Sequence, residues 1–143
     1  MTDCPLCRSP AGEVVWQDSR CRVVRVGADG GDFPGYCQVV WCAHVVEMTD
    51  LAPADRRHLL NVVFAVETAL RTLLAPEKIN LAALGNRVPH LHWHVIPRWH
   101  DDSHFPEAIW ASAQRPPPQR LAPTMEMLRA AIAASLTEAE DSA

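Results

Sequence analysis

The chain has 143 residues, 48% of them hydrophobic and 21% charged, and carries a formal net charge of −4. This length suits one domain with one core, 1–143, and the composition is that of an ordinary globular protein. The acidic balance argues against a broad electrostatic grip on nucleic acid, and no apolar run reaches the roughly 18 residues that span a bilayer, so neither partner is expected.

Glu13-Val14-Val15-Trp16 and Cys21 to Val26 read as two strands joined by the turn Gln17-Asp18-Ser19-Arg20. A Gly- and Asp-rich loop, 28–35, leads into a third strand, Tyr36 to Cys42. From Pro53 to Ala75 the period changes. Leu59, Val62, Val63, Val66, Leu70, Leu73 and Leu74 form one helical apolar face, with Pro53 at the first helical position and Pro76 as the stop. Lys78 to Leu84 reads as a fourth strand and Pro89 to Pro97 as a fifth, with Gly85-Asn86 at the bend between them. A proline-rich extension from 111 precedes a last helix carrying Met125, Leu128, Ile132 and Leu136 on one side, and the acidic end, Thr137 to Ala143, is expected to fray. The order implies an α+β fold: about five strands in a mostly antiparallel sheet, covered by one long helix, with a C-terminal helix added.

Within the fifth strand stands His90-Leu91-His92-Trp93-His94. Side chains on a strand alternate, so the three imidazoles face one way, about 7 Å apart, while Leu91, Trp93 and Val95 face the core. Imidazoles in a row either bind metal or perform nucleophilic and acid–base work near neutral pH. A single ion held by all three is disfavoured, because collinear residues on a flat strand do not converge.

Five cysteines, an odd number without framework spacing, argue against a disulfide scaffold. With no basic, apolar leader at Met1 to Pro5, a soluble cytoplasmic protein is expected. Cys4 and Cys7 form a C-x-x-C knuckle that lets two thiolates share one metal, although a redox pair or two buried thiols would read the same. Cys21 and Cys37 fall in strands and read as core thiols. Arg98 is read as a surface ion pair or as a distal phosphate contact, His58 as solvent-facing, and Trp99 and Trp110 as covering either a pocket or a subunit contact. His100 and His104 lie in a polar loop that either completes a site or is simply solvated.

The pattern His90 to Ile96 resembles the signature of the histidine triad family. The likeness extends through Ile79-Asn80-Leu81, Gly85 to Pro89, Pro97-Arg98, Gly35 with His44 nine residues on, and Cys4-Pro5-Leu6-Cys7, covering roughly 4–110 in the manner of a bacterial branch. The resemblance implies a symmetric dimer acting on nucleotides substituted at the α-phosphate, such as dinucleoside polyphosphates or nucleoside phosphoramidates. His92 would attack phosphorus and form a nucleotidyl-histidine, His94 would bond the phosphate oxygens, and no cofactor is needed for that chemistry. Asn80 would reach ribose or phosphate, and Asn86 would lie near the scissile bond, although it could simply serve the turn.

The resemblance also implies a structural zinc on Cys4, Cys7, His44 and His90, with Cys42 an alternative ligand and a free His90 the competing reading. Two departures stand out. Gly35-Tyr36 replaces a glycine-histidine pair, and Gly27-Ala28 stand where an acid commonly holds the ribose, leaving Asp29 or Asp32 to substitute. Both departures lend weight to the alternative of a non-catalytic nucleotide-binding or zinc-stabilised interaction module.

Overall fold

The computed structural model describes residues 3–27 and 31–142, with side chains to 137. Five strands form one sheet in the order β1-β2-β3-β5-β4, every neighbouring pair antiparallel. They are β1 (Glu13–Gln17), β2 (Cys21–Arg25), β3 (Cys37–Trp41), β4 (Lys78–Ala82) and β5 (His92–Arg98). A single helical turn, α1 (Pro5–Arg8), precedes them, the long helix α2 (Pro53–Leu74) lies between β3 and β4, and α3 (Met125–Ser142) ends the chain. The α+β reading holds, and α3 extends to Ser142. No helix among the described residues is long and apolar enough to cross a membrane.

The periodicity of α2 explains the core. Leu59, Val62, Val63, Val66 and Leu70 are fully buried against Val23, Val39 and Val95 of the sheet, and Leu128 and Ile132 of α3 join the same cluster. Helix α2 ends where Ala75 takes a left-handed conformation (φ 47°) and its N–H bonds the Arg71 carbonyl. Gly35 (φ +94°) stands where the chain enters β3, and a Cβ there would lie 2.6 Å from Leu74 Cδ1. Only glycine permits that approach.

The opposite face of the sheet carries the site. Val24 and Val40 alternate with the core residues and pack against Leu6 of α1, so the N-terminal turn sits on that face. In the β3–β5 register Val40 faces His92, Gln38 faces His94 and Val39 faces Trp93. His92 and His94 therefore share the face opposite α2.

One correction concerns the length of β5. It begins at His92, not Pro89, so His90 lies outside the strand and is no member of a straight row. Leu91 is held by its own bonds, its N–H to the Val45 carbonyl (2.8 Å) and its carbonyl to the Trp41 N–H (3.1 Å).

A second correction concerns Arg98. It is neither a surface residue nor a phosphate ligand: at 2% exposure it forms a bidentate pair with Asp102 (Nε to Oδ2 2.8 Å, Nη2 to Oδ1 3.0 Å). Arg98 also donates to Asn80 Oδ1 and to the Glu107 carbonyl, both at 2.8 Å. Asp102 in turn accepts the N–H groups of Trp99, His104 and Phe105. Burial by itself raises the Asp102 pKa, but the guanidinium and these N–H groups outweigh it and lower it to about 2.

His58 is likewise not solvent-facing. Its Nε2 bonds Asp18 Oδ2 at 2.6 Å, tying α2 to the β1–β2 turn.

Because its folded pKa is depressed, Asp102 contributes stability that is complete above the ordinary carboxylate pKa near 4 and is lost as pH falls toward about 2. Asp102→Asn, which leaves Arg98 buried without its counter-charge, is expected to cost about 3 kcal/mol at pH 7. Urea unfolding from pH 7 to 2.5 checks it: the gap between wild type and variant should narrow below about pH 4, and a gap constant with pH would refute the assignment.

Candidate functional site

The backbone at His90 divides the histidines into two groups. His90 is fully buried and its Nε2–H donates to the Trp41 carbonyl at 2.6 Å. Nδ1 is thereby left with a lone pair, which faces Cys4 Sγ (3.4 Å), Cys7 Sγ (3.4 Å) and His44 Nδ1 (3.2 Å). His44 Nδ1 lies 3.3 Å from Cys7 Sγ. Burial lowers the His90 pKa and holds it neutral, the form that ligates metal. Four donor atoms from the N-terminal turn, the segment after β3 and the segment before β5 thus lie within 4.8 Å of one another and could hold a metal ion. Cys42, the alternative ligand, is exposed and outside this group. Cys21 and Cys37 are buried, and burial pushes the Cys37 thiol up to about 12, as befits inert core thiols.

His92 turns the other way. Its Nδ1–H donates to the His90 carbonyl at 2.6 Å, which fixes the tautomer and leaves the Nε2 lone pair free. His94, two residues on and 5.0 Å away between ring centroids, is 6% exposed. Tyr36 Oη and His94 Nδ1 lie 2.6 Å apart, and the Gln38 amide N–H approaches both from 3.5 Å; a nitrogen faced by that donor accepts, so Tyr36 donates its O–H to it. With Nδ1 accepting, the proton of His94 sits on Nε2. Burial, then the neighbouring His92, lower the His94 pKa to about 4, while burial raises that of Tyr36. At neutral pH the pair is a phenol donating to a neutral imidazole, with an N–H to offer from Nε2.

A cleft of about 400 Å³ opens at these two rings, lined by Leu84, Gly85, Asn86, Arg87, Val88, His92, His94 and Trp110. Asn86 is therefore beside the histidines. Asn80 does not line this cleft, and its Oδ1 accepts from Arg98. Asp29 lies outside the described residues, and Asp32 borders a separate hollow with Pro117 to Leu121. His100 pairs with Glu77, and His104 bonds Ser103 Oγ; neither lines the cleft. Of the two tryptophans, Trp110 lies edge-on to His94 with centroids 4.9 Å apart, whereas Trp99 is buried beneath Arg120.

Sequence reasoning passed over the part played by Tyr36. Its signal was the departure itself: a phenol in place of a histidine can still donate to His94, but only the β3–β5 pairing reveals the partner.

An antiparallel sheet that presents His92 and His94 side by side on one face carries the alternating histidines that the resemblance to histidine triad proteins rests on. The HIT domain model matches residues 11–101, and the chain belongs to that family. A protein of Mycobacterium tuberculosis (strain CDC 1551 / Oshkosh) named AP-4-A phosphorylase is 30% identical over 101 residues, 66% of this chain and 51% of that protein. The chain thus spans about half the length of the curated relatives it matches.

Among solved structures, a histidine triad protein of Sinorhizobium meliloti 1021 is 27% identical with a TM-score of 0.67, covering 96% of this chain and 98% of the other. One from Bradyrhizobium japonicum is 25% identical, TM-score 0.65, covering 90% of each. A zinc-bound family member from Mycobacterium smegmatis shares the fold at 20% identity, TM-score 0.61, covering 99% of each.

Removing the phenolic donor should destabilise the neutral imidazole. Tyr36→Phe is expected to raise the His94 pKa from about 4 and to populate the Nδ1–H tautomer, as read from ¹⁵N chemical shifts across a pH titration. An unchanged midpoint and tautomer would mean that Tyr36 does not set the state of His94.

Proposed function

We propose that the protein cleaves substituted nucleotides at the α-phosphate, dinucleoside polyphosphates or nucleoside phosphoramidates, through a nucleotidyl-His92 intermediate. The observation that carries this is the bond from His92 Nδ1–H to the His90 carbonyl, which aims an unshared Nε2 lone pair at the cleft. Neutral imidazole is a competent nucleophile at pH 7. Attack by Nε2 forms the N–P bond as the bond from phosphorus to the leaving group breaks. The positive charge gained by the His92 ring is offset at Nδ1–H by the His90 carbonyl, and the His94 Nε2–H meets charge on the phosphoryl oxygens and the departing atom.

Water or phosphate then displaces the imidazole and restores His92. Transfer to phosphate would be a phosphorylase reaction, the activity for which the M. tuberculosis relative is named. Asn86, in the cleft, is assigned to the substrate phosphate; Asn80, with its carbonyl engaged by Arg98, has its amide N–H groups left for ribose or phosphate.

We also propose that the Cys4, Cys7, His44 and His90 cluster holds structural zinc. Zn–S bonds of about 2.3 Å and Zn–N bonds of about 2.0–2.1 Å give tetrahedron edges of roughly 3.3–3.8 Å, close to the 3.2–3.4 Å separations among these donors. The bond from His90 Nε2–H to the Trp41 carbonyl is the outer-shell contact that orients a ligating histidine. Such an ion would tether α1 to the sheet and fix the carbonyl that orients His92, and no step of the phosphorus chemistry passes through it.

His92→Ala should lower turnover of diadenosine tetraphosphate by about 10³-fold or more, and acid-quenched wild type should carry a nucleotidyl adduct that peptide mass spectrometry places on His92. Normal turnover in the variant would remove the mechanism, and binding without any adduct would favour a non-catalytic nucleotide-binding module. Metal analysis should return about one zinc per chain. The Cys4→Ser, Cys7→Ser double variant should lose it and melt roughly 5 °C or more below wild type, and metal-free wild type of unchanged stability would remove the zinc assignment.

A further inference from the structure

A second group of metal-ligating side chains lies on the far side of the sheet from the cleft. Asp18 in the β1–β2 turn, Cys21 at the start of β2 and His58 in the second turn of α2 each present a ligand atom, and the three lie within 4.8 Å of one another. Cys21 belongs to the core beneath α2 with Val23 and Val39, whereas His92 and His94 face away from that helix. The group shares no residue with the Cys2His2 cluster or with the cleft at His92.

The local backbone sets these donors in place. Asp18 Oδ1 accepts the N–H groups of Arg20 (2.8 Å) and Cys21 (2.9 Å), which fixes the carboxylate, and Oδ2 meets His58 Nε2 at 2.6 Å. The Asp18 N–H in turn bonds the Cys21 carbonyl at 2.9 Å, closing the turn on the strand that carries the thiol. Cys21 is fully buried, yet Asp18 and His58 keep 29% and 22% of their side-chain surface open, so an ion reaches the group from solvent past those two. Burial, and then the charge of Asp18, hold the Cys21 thiol protonated, which removes it as a nucleophile. A divalent ion reverses this, because a coordinating thiol gives up its proton.

We propose that Asp18, Cys21 and His58 form a second metal site, for a thiophilic divalent transition ion of the zinc class. A thiolate, an imidazole and a carboxylate are the three donor types that zinc takes, and three protein ligands leave a fourth position to water. Zn–O and Zn–N bonds of about 2.0–2.2 Å set a tetrahedral O–N edge of roughly 3.3–3.5 Å. His58, on the open side, therefore moves outward by less than about 1 Å from its 2.6 Å contact with Asp18 to admit the ion. On binding, His58 offers the Nε2 lone pair and carries its proton on Nδ1, and the thiol proton leaves to solvent. An ion held there cross-links the β1–β2 turn, β2 and α2, and so stabilises the folded chain.

Cobalt(II) titration of the metal-free full chain, read from thiolate-to-cobalt charge transfer, tests the site. Wild type should take about two equivalents, and the Cys4→Ser, Cys7→Ser double variant about one. Adding His58→Ala to the double variant should weaken the remaining binding by about 100-fold or more. Adding Cys21→Ala should abolish the charge-transfer band, while adding Cys42→Ser, at an exposed thiol, should change neither. Because His58 is partly exposed, its variant reads the site even where Cys21→Ala costs the fold. Zinc should also raise the Tm of the double variant by roughly 5 °C and leave that of its His58→Ala derivative unchanged. A double variant that binds no cobalt, or binding that survives His58→Ala or is lost with Cys42→Ser, would overturn the site. A single equivalent in wild type, kept by the double variant and lost with His58→Ala, would remove the Cys2His2 assignment and leave this one standing.

Discussion

The arrangement of the site depends on the chain joining the sheet only at His92, with His90 still outside it. Were β5 to run unbroken from Pro89, the three imidazoles would stand in line with equivalent surroundings. Instead, the His90 ring turns to the Trp41 carbonyl at the end of β3 and to the cysteines, and its own carbonyl is left to receive His92 Nδ1–H. One residue therefore serves two sites: its side chain completes the Cys2His2 cluster and its backbone sets the tautomer of the neighbouring histidine.

A second device settles the far wall. Taking Arg98 and Asp102 out of water is costly, and their mutual attraction offsets that cost because backbone groups take up most of the remaining donors and acceptors. Those partners are the backbone of the loop itself, the N–H groups of Trp99, His104 and Phe105 and the carbonyl of Glu107. The ion pair thus converts a polar, proline-containing segment into a fixed structure with Trp110 at its tip. Burying a charge pair at the end of β5 is a demanding way to end a strand, and its return is a wall positioned against His94.

Tyr36 stands where the family resemblance leads to the expectation of a histidine, and it pairs with His94. What His94 requires is a hydrogen bond to Nδ1 from a group that stays protonated, and a buried phenol, with its pKa raised, meets this requirement over a wide pH range. Gln38, opposite His94 in the sheet, is the only other side chain described as approaching that nitrogen.

Much of this was legible in the order of residues. The alternation around His92 and His94, the three- and four-residue steps of α2 and the turn signals between strands fixed the elements and the sheet, because local periodicity decides which faces are buried. The C-x-x-C knuckle marked two members of the cluster, and the family resemblance implied the other two, His44 and His90.

Other assignments lay beyond the sequence, since they depend on where two distant segments end up in space. A periodic pattern cannot say that a strand starts at His92 rather than Pro89 when both segments alternate; the bonds of Leu91 to Val45 and Trp41 decide it. Nor can it tell an arginine at a strand end that meets water from one that meets Asp102, a partner four residues on. Local sequence determined the elements and the histidines they carry. Tertiary pairing alone set the tautomer of each histidine, because a proton's place on an imidazole is set by the atom opposite, and here those atoms come from His90, Trp41 and Tyr36.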